Sequence, residues 1–103
     1  MKIYIAGKVT GDSDYKKKFS LAGQAVERQG HIALLPSVLP AGLGEADYMR
    51  ICLAMIESAD LVLFLPDYIR SEGAIVEWLW CQKTGKDWDF LANWLDRQED
   101  DEE

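Results

Sequence analysis

The sequence predicts an α/β protein built on a parallel sheet. Three short apolar runs, Lys2–Ala6, Ile32–Leu35 and the core of Asp60–Pro66, read as strands, the first and third of them covered on both faces. Segments whose apolar residues recur at helical spacing follow each of them. Glycine or proline closes each run, as Gly7, Pro36 and Pro66. Strand alternating with helix implies βαβ units and crossover connections.

The first strand ends at Gly7, and Gly11-Asp12-Ser13-Asp14 offers caps for a helix. Tyr15, Phe19, Ala22 and Val26 make its apolar face, with Lys16, Lys17, Lys18, Glu27 and Arg28 toward water and Gly30 as its stop. His31, the one histidine, opens the second strand and has a structural place there. Pro40, Gly42 and Gly44 mark residues 37–45 as a loop. A second helix covers about Ala46 to Ser58, its inner face formed by Tyr48, Cys52, Ile56 and Met55. After the third strand come a polar loop, Asp67 to Ser71, and a third helix from Glu72 to Lys83 with Gly85 as its stop. The stretch Lys86–Asp96 reads as a short amphipathic helix carrying Leu91, Trp94 and Leu95 with Phe90 or Trp88. The expected sheet therefore has three to four strands, of which three are read directly.

The chain of 103 residues suits one domain, expected over residues 1–97, with residues 98–103 as a disordered acidic tail. The net charge of -7 argues against a nucleic-acid partner. No apolar stretch is long enough to cross a bilayer, and the N-terminal run is too short for a signal peptide. The expected location is the cytoplasm. Cys52 and Cys81 read as buried thiols, and no Cys/His cluster suggests a metal. Four tryptophans, at 78, 80, 88 and 94, are many for so small a sheet and point to a homo-oligomer formed through the third and C-terminal helices.

Ligands of open parallel sheets bind beyond the carboxyl ends of the strands. Three loops leave those ends: Gly7-Lys8-Val9-Thr10-Gly11, residues 36–45 and residues 67–71. The first has glycines and a lysine but lacks the P-loop spacing. Ser71-Glu72-Gly73 opens a helix, whose free N–H groups suit an anion; Ser71 as a plain N-cap is the simpler reading. Glu77 sits in the most apolar part of that helix, between Val76 and Trp78. Taken alone, it reads as a solvent-facing glutamate paired with a lysine.

The order of the pieces sharpens this. Met1–Gly7 followed by Thr10-Gly11, then Tyr48-Met49-Arg50, Ala59–Val62 and Ser71-x-Gly73-x-x-x-Glu77, resembles the nucleoside 2-deoxyribosyltransferase-like superfamily. Within it the chain is most similar to a small phage- and prophage-associated, DUF4406-like branch. The resemblance covers about Met1 to Gly85. It implies a flavodoxin-like or Rossmann-like three-layer sandwich and cleavage of an N-glycosidic bond without metal or organic cofactor. It assigns Glu77 as the nucleophile at C1′ and Tyr4 as its orienter. Ser71 would contact a 5′-phosphate, and Gly7, Lys8, Thr10, Gly11 and Gly73 would border the nucleotide. Family enzymes carry an aspartate in the second helix where this chain has Ile51, so Asp47, one turn earlier, is the substrate-binding candidate there. Hydrolases of the family that bind phosphate carry an arginine in the first loop, where Thr10 stands here.

The resulting expectation is an N-glycosidase or deoxyribosyltransferase acting on a deoxynucleoside 5′-monophosphate. Two other readings stand beside it. One is a catalytically inactive nucleotide-binding protein. The other is an interaction protein that offers its tryptophan-rich C-terminus to a host partner.

Overall fold

A computed structural model describes residues 1–101 of the chain. The expected parallel sheet is present, with four strands in the order β2-β1-β3-β4. They are β1 (Lys2–Ala6), β2 (Ile32–Leu34), β3 (Leu61–Phe64) and β4 (Trp88–Phe90). Helices α1 (Tyr15–Arg28), α2 (Glu45–Ser58) and α3 (Glu72–Thr84) connect them, and α4 (Leu91–Asp101) follows β4. Single turns of 3-10 helix at Pro36–Val38 and Pro66–Arg70 start with the prolines that end the strand runs.

The side chains of β1 alternate between two cores, as a pleated strand requires. Ile3 and Ile5 join Leu63, Phe19, Val26 and Trp94 on the face covered by α1 and α4. Tyr4 and Ala6 join Val62, Phe64, Ile56 and Cys81 on the face covered by α2 and α3. This gives three layers, helix on sheet on helix. β1 pairs with β2 on one side and β3 on the other, so the chain reverses its direction across the sheet beside β1. Crevices open at such a reversal, beyond the carboxyl ends of the strands.

Two expectations change. β4 is a true strand, in register with β3 through Val62 and Trp88, Leu63 and Asp89, and Phe64 and Phe90. It passes into α4 with no glycine or proline between them, so its aromatic pattern merges with that of the helix. The Asp89 carboxylate accepts the Phe90 N–H at 2.7 Å and pairs with Arg97, which eases that junction. The acidic run is also not wholly a tail. α4 extends through Asp101, while Glu102 and Glu103 lie outside the described residues.

Several local readings hold. Gly85 caps α3 in the left-handed region at φ 74°. His31 has the structural place expected of it: its Nδ1 accepts from the N-terminal ammonium at 2.9 Å, and its ring meets Trp94 edge-on at 5.6 Å. Both cysteines are buried free thiols. No helix among the described residues is long and apolar enough to cross a membrane.

Trp94 is buried within its own chain, so α4 spends its largest apolar side chain on the α1 face of the sheet. Trp94→Ala should therefore cost about 3–5 kcal/mol. For a domain of this size, that lowers the thermal midpoint by at least ~10 °C, measurable by circular dichroism. A shift of a degree or two would show that α4 is not integral to the core.

Candidate active site

Tyr4 stands fully buried on β1, facing α2 and α3. A buried phenol needs a hydrogen-bond partner. It finds Glu77, whose Oε2 accepts the Tyr4 O–H at 2.6 Å. Glu77 lies on the inner stripe of α3 with Ala74 and Cys81, one helical turn apart on either side. Only 5% of it is exposed, so the reading of a solvated, lysine-paired glutamate is overturned. Among the described residues Glu77 Oε1 has no hydrogen-bond partner, yet it is not sealed from solvent.

That carboxylate forms part of the wall of a cleft of about 560 Å³. The cleft opens where β1 and β3 end. Gly7, Lys8, Val9 and Thr10 line it from the loop after β1, and Arg70, Ser71, Gly73 and Glu77 from α3 and its approach. Glu45, Tyr48, Met49 and Cys52 line it from α2.

Electrostatics at the base are set by burial. Desolvation raises the pKa of Glu77 to about 7, against the lowering effect of the Tyr4 hydrogen bond. Burial first, and then the nearby Glu77 charge, hold Tyr4 well above the ordinary phenol range, so it remains a neutral donor. Burial likewise raises the Cys52 thiol and pushes Cys81 up to about 11. Neither thiol is a ready nucleophile at neutral pH. Glu77 thus changes protonation near neutrality.

The predicted residues separate into two groups. Tyr4, Gly7, Lys8, Thr10, Ser71, Gly73 and Glu77 converge on the cleft. Gly11 does not line it. Its role is conformational, with φ 83° in the region that favours glycine. Asp47 also lies outside the cleft, exposed and paired with Arg50 at 3.2 Å. Ile51 is exposed and absent from the lining too, so an aspartate at that position would not reach the cleft.

Glycine serves different needs at positions 7 and 73. A Cβ on Gly7 would meet Leu65 Cδ1 at 2.9 Å and Leu65 Cβ and Asp67 Oδ1 at 3.1 Å, so any larger residue there must displace the buried Leu65 side chain. A Cβ on Gly73 would meet Met49 Sδ at an ordinary 3.5 Å, so the space it leaves belongs to the cleft. Ser71 is an N-cap as expected, its Oγ accepting the Ala74 N–H at 3.2 Å. That bond uses an acceptor lone pair and leaves the hydroxyl proton free to donate.

Arg70, Glu45 and Cys52 were not foreseen at the site. Glu45, Tyr48, Met49 and Cys52 form one stripe of α2, and projecting back from Cys52 by whole turns would have found Glu45. Arg70 belongs to a 3-10 turn with no periodicity to reveal it. Lys8 and Arg70 make no ion pair among the described residues, although Glu45 and Glu72 share the lining with them.

The fold is shared with a solved 2-deoxyribosyltransferase from the psychrotolerant bacterium Bacillus psychrosaccharolyticus, described as a biocatalyst for nucleoside synthesis. The two are 23% identical with a TM-score of 0.67, over 85% of this chain and 69% of that one. No curated protein matches the chain. A family model described as a domain of unknown function, DUF4406, matches residues 1–88, from β1 to the start of β4. The matched span takes in both strand-end loops and the whole of α3, and on that match the chain belongs to the DUF4406 family.

Proposed function

We propose that this protein cleaves or transfers at the N-glycosidic bond of a deoxynucleoside 5′-monophosphate, with Glu77 as nucleophile. The observation that carries the reading is the buried Glu77–Tyr4 pair facing a cleft of nucleotide size. The fold shared with a 2-deoxyribosyltransferase supports the same chemistry.

In the proposed step, a Glu77 carboxylate oxygen bonds to C1′ as the C1′–N bond breaks. The base leaves with the bonding electrons and takes up a proton. Water or a second base then attacks C1′ and frees Glu77. Negative charge on the carboxylate stabilises the oxocarbenium-like transition state on the way in and out. Tyr4 fixes the carboxylate so that Oε1 faces the sugar. Ser71, the open start of α3, Lys8 and Arg70 offer donors and positive charge to a 5′-phosphate. Gly7, Thr10 and Gly73 border the nucleotide. Glu45 takes the place foreseen for Asp47 as the carboxylate of α2 that faces the ligand. A homo-oligomer is part of the proposal. α3 leaves Val76 at 46%, Leu79 at 47% and Trp80 at 36% exposed beside the cleft, an apolar face suited to a second copy.

Incubating the protein with the four deoxynucleoside 5′-monophosphates should release free base, detected by chromatography. Glu77→Gln should lower turnover at least roughly a thousandfold while leaving nucleotide binding intact. Release of base at the wild-type rate by that variant would exclude Glu77 as nucleophile.

Ser71→Asp keeps an N-cap and adds a repelling charge. Monophosphate affinity should fall at least ~tenfold, since a charged hydrogen bond contributes roughly 1.5–3 kcal/mol, while the thermal midpoint stays put. Equal loss for nucleosides and monophosphates in calorimetry would remove the phosphate role.

The pH dependence follows from Glu77. A nucleophile must be ionised, so kcat/KM should rise with pH through about 7. Because the Tyr4 bond lowers that pKa, Tyr4→Phe should move the midpoint of the profile to higher pH. Stability runs the other way. The folded state binds the Glu77 proton more tightly than the unfolded chain, where glutamate titrates near 4.5. Stability is therefore fully present below about 4.5 and is lost as pH rises to about 7, by an amount on the order of 3 kcal/mol. Glu77→Gln lacks this loss, so its midpoint should gain on the wild type between pH 5 and 8. A constant difference across that range would refute the raised pKa.

A further inference from the structure

The loop after β1 forms one wall of the cleft, yet its backbone has little support of its own. Within Gly7–Asp12 the backbone contact is the Asp12 N–H to Val9 carbonyl bond at 3.3 Å. The main support comes from α1, outside the cleft. Lys18 Nζ donates to the Lys8 carbonyl at 2.7 Å, to Asp12 Oδ2 at 2.6 Å and to Asp67 Oδ2 at 2.5 Å. An ammonium has three donors, and all three are used. Asp67 in turn accepts the Lys8 N–H with Oδ1 at 3.1 Å. Both backbone polar groups of Lys8 are thereby tied to one cluster. That cluster joins the exit of β1 to the exit of β3, the two loops between which the cleft opens.

Lys18 itself does not line the cleft; it lines a shallow apolar groove between α1 and α4. Burial works against its charge, but the hydrogen bonds to Asp12 and Asp67 outweigh that and raise its pKa, so it stays an ammonium at neutral pH. We propose that Lys18 is the positioning residue of the ligand site, fixing the Gly7–Thr10 wall through the Lys8 carbonyl and Asp67. The proposal rests on the cleft being a nucleotide site. Asp67 is the more important partner, because it also holds the Lys8 N–H and is the less exposed carboxylate.

The test is Lys18→Met, which keeps the stem and removes all three donors, with Asp67→Ala as a second variant and Asp12→Asn as a control. Affinity for the four deoxynucleoside 5′-monophosphates is measured by calorimetry, and amide hydrogen exchange by NMR. Lys18→Met and Asp67→Ala should each weaken binding at least ~tenfold and speed exchange at Lys8 by a similar factor. Protection in β1 and β3 should hold, and Asp12→Asn should change binding less than about threefold. Where turnover is measured, KM should rise more than kcat falls. Wild-type affinity and wild-type exchange at Lys8 in Lys18→Met would overturn the proposal. A uniform rise in exchange across the sheet would also overturn it, since that marks a structural ion pair. If the wild type binds none of the four nucleotides, the nucleotide reading fails, and exchange at Lys8 still decides whether Lys18 holds the loop.

Discussion

Burying β1 and β3 on both faces is the constraint on which the rest of this fold depends. Ile3, Tyr4, Ile5 and Ala6 are completely shielded, as are Val62, Leu63 and Phe64. Two strands can be buried this way only if helices cover both sides and every backbone group is paired within the sheet. Polar chemistry is then displaced to the strand ends, where the chain leaves the sheet. Tyr4 is the exception inside the sheet. Its hydroxyl must be satisfied across the layer, and α3 supplies the partner. The Tyr4–Glu77 bond is thus a consequence of where a phenol was put on a buried strand. The same bond fixes the rotamer of a carboxylate next to open space.

That arrangement carries an electrostatic penalty that the molecule does not remove. Glu77 receives one hydrogen bond from Tyr4 and no cation among the described residues. A purely structural carboxylate in such surroundings would be stabilised by an arginine or lysine, or replaced by an apolar residue. Here two cations without an ion pair among the described residues, Lys8 and Arg70, stand along the cleft wall. The carboxylate is left poorly solvated on one side and accessible on the other. Groups in that condition are the ones whose charge responds to a ligand, which is the physical reason to read the pair as functional.

What the sequence revealed, and what it concealed, follow from the range of the forces involved. β1 and β3 stand out because burial on both faces forces continuous apolar runs, and β2 because a short apolar run sits between Gly30 and Pro36. Caps such as Ser71 and Gly85 stand out because their geometry is local. β4 escaped because it has three residues and no turn residue separates it from α4. The topology alone points to a crevice where β1 and β3 end, but it identifies only part of the lining. Asp47 sits at a position that the rotation of α2 turns to solvent, whereas Glu45 is on the stripe that lines the cleft. The burial of Glu77 was unreadable from α3 itself. Apolar residues surround that helix on all sides, so no amphipathic stripe singles out an inner face.

The two faces of the sheet share in building one site. Glu77 and Tyr4 belong to the layer of α2 and α3, while the Gly7–Asp12 loop is held by Lys18 from the layer of α1. A ligand spanning the cleft would touch elements organised by both cores at once. Such a site keeps its shape only while both layers stay docked on the sheet. α1 carries Lys18 and Phe19 side by side, and Phe19 is fully buried in the core that also receives Trp94 of α4. The seating of α1 therefore depends on its packing with α4. Through that dependence, α4 supports the seating of the helix whose Lys18 holds the cleft wall. α4 is in this sense part of the site's framework, though none of its described residues lines the cleft.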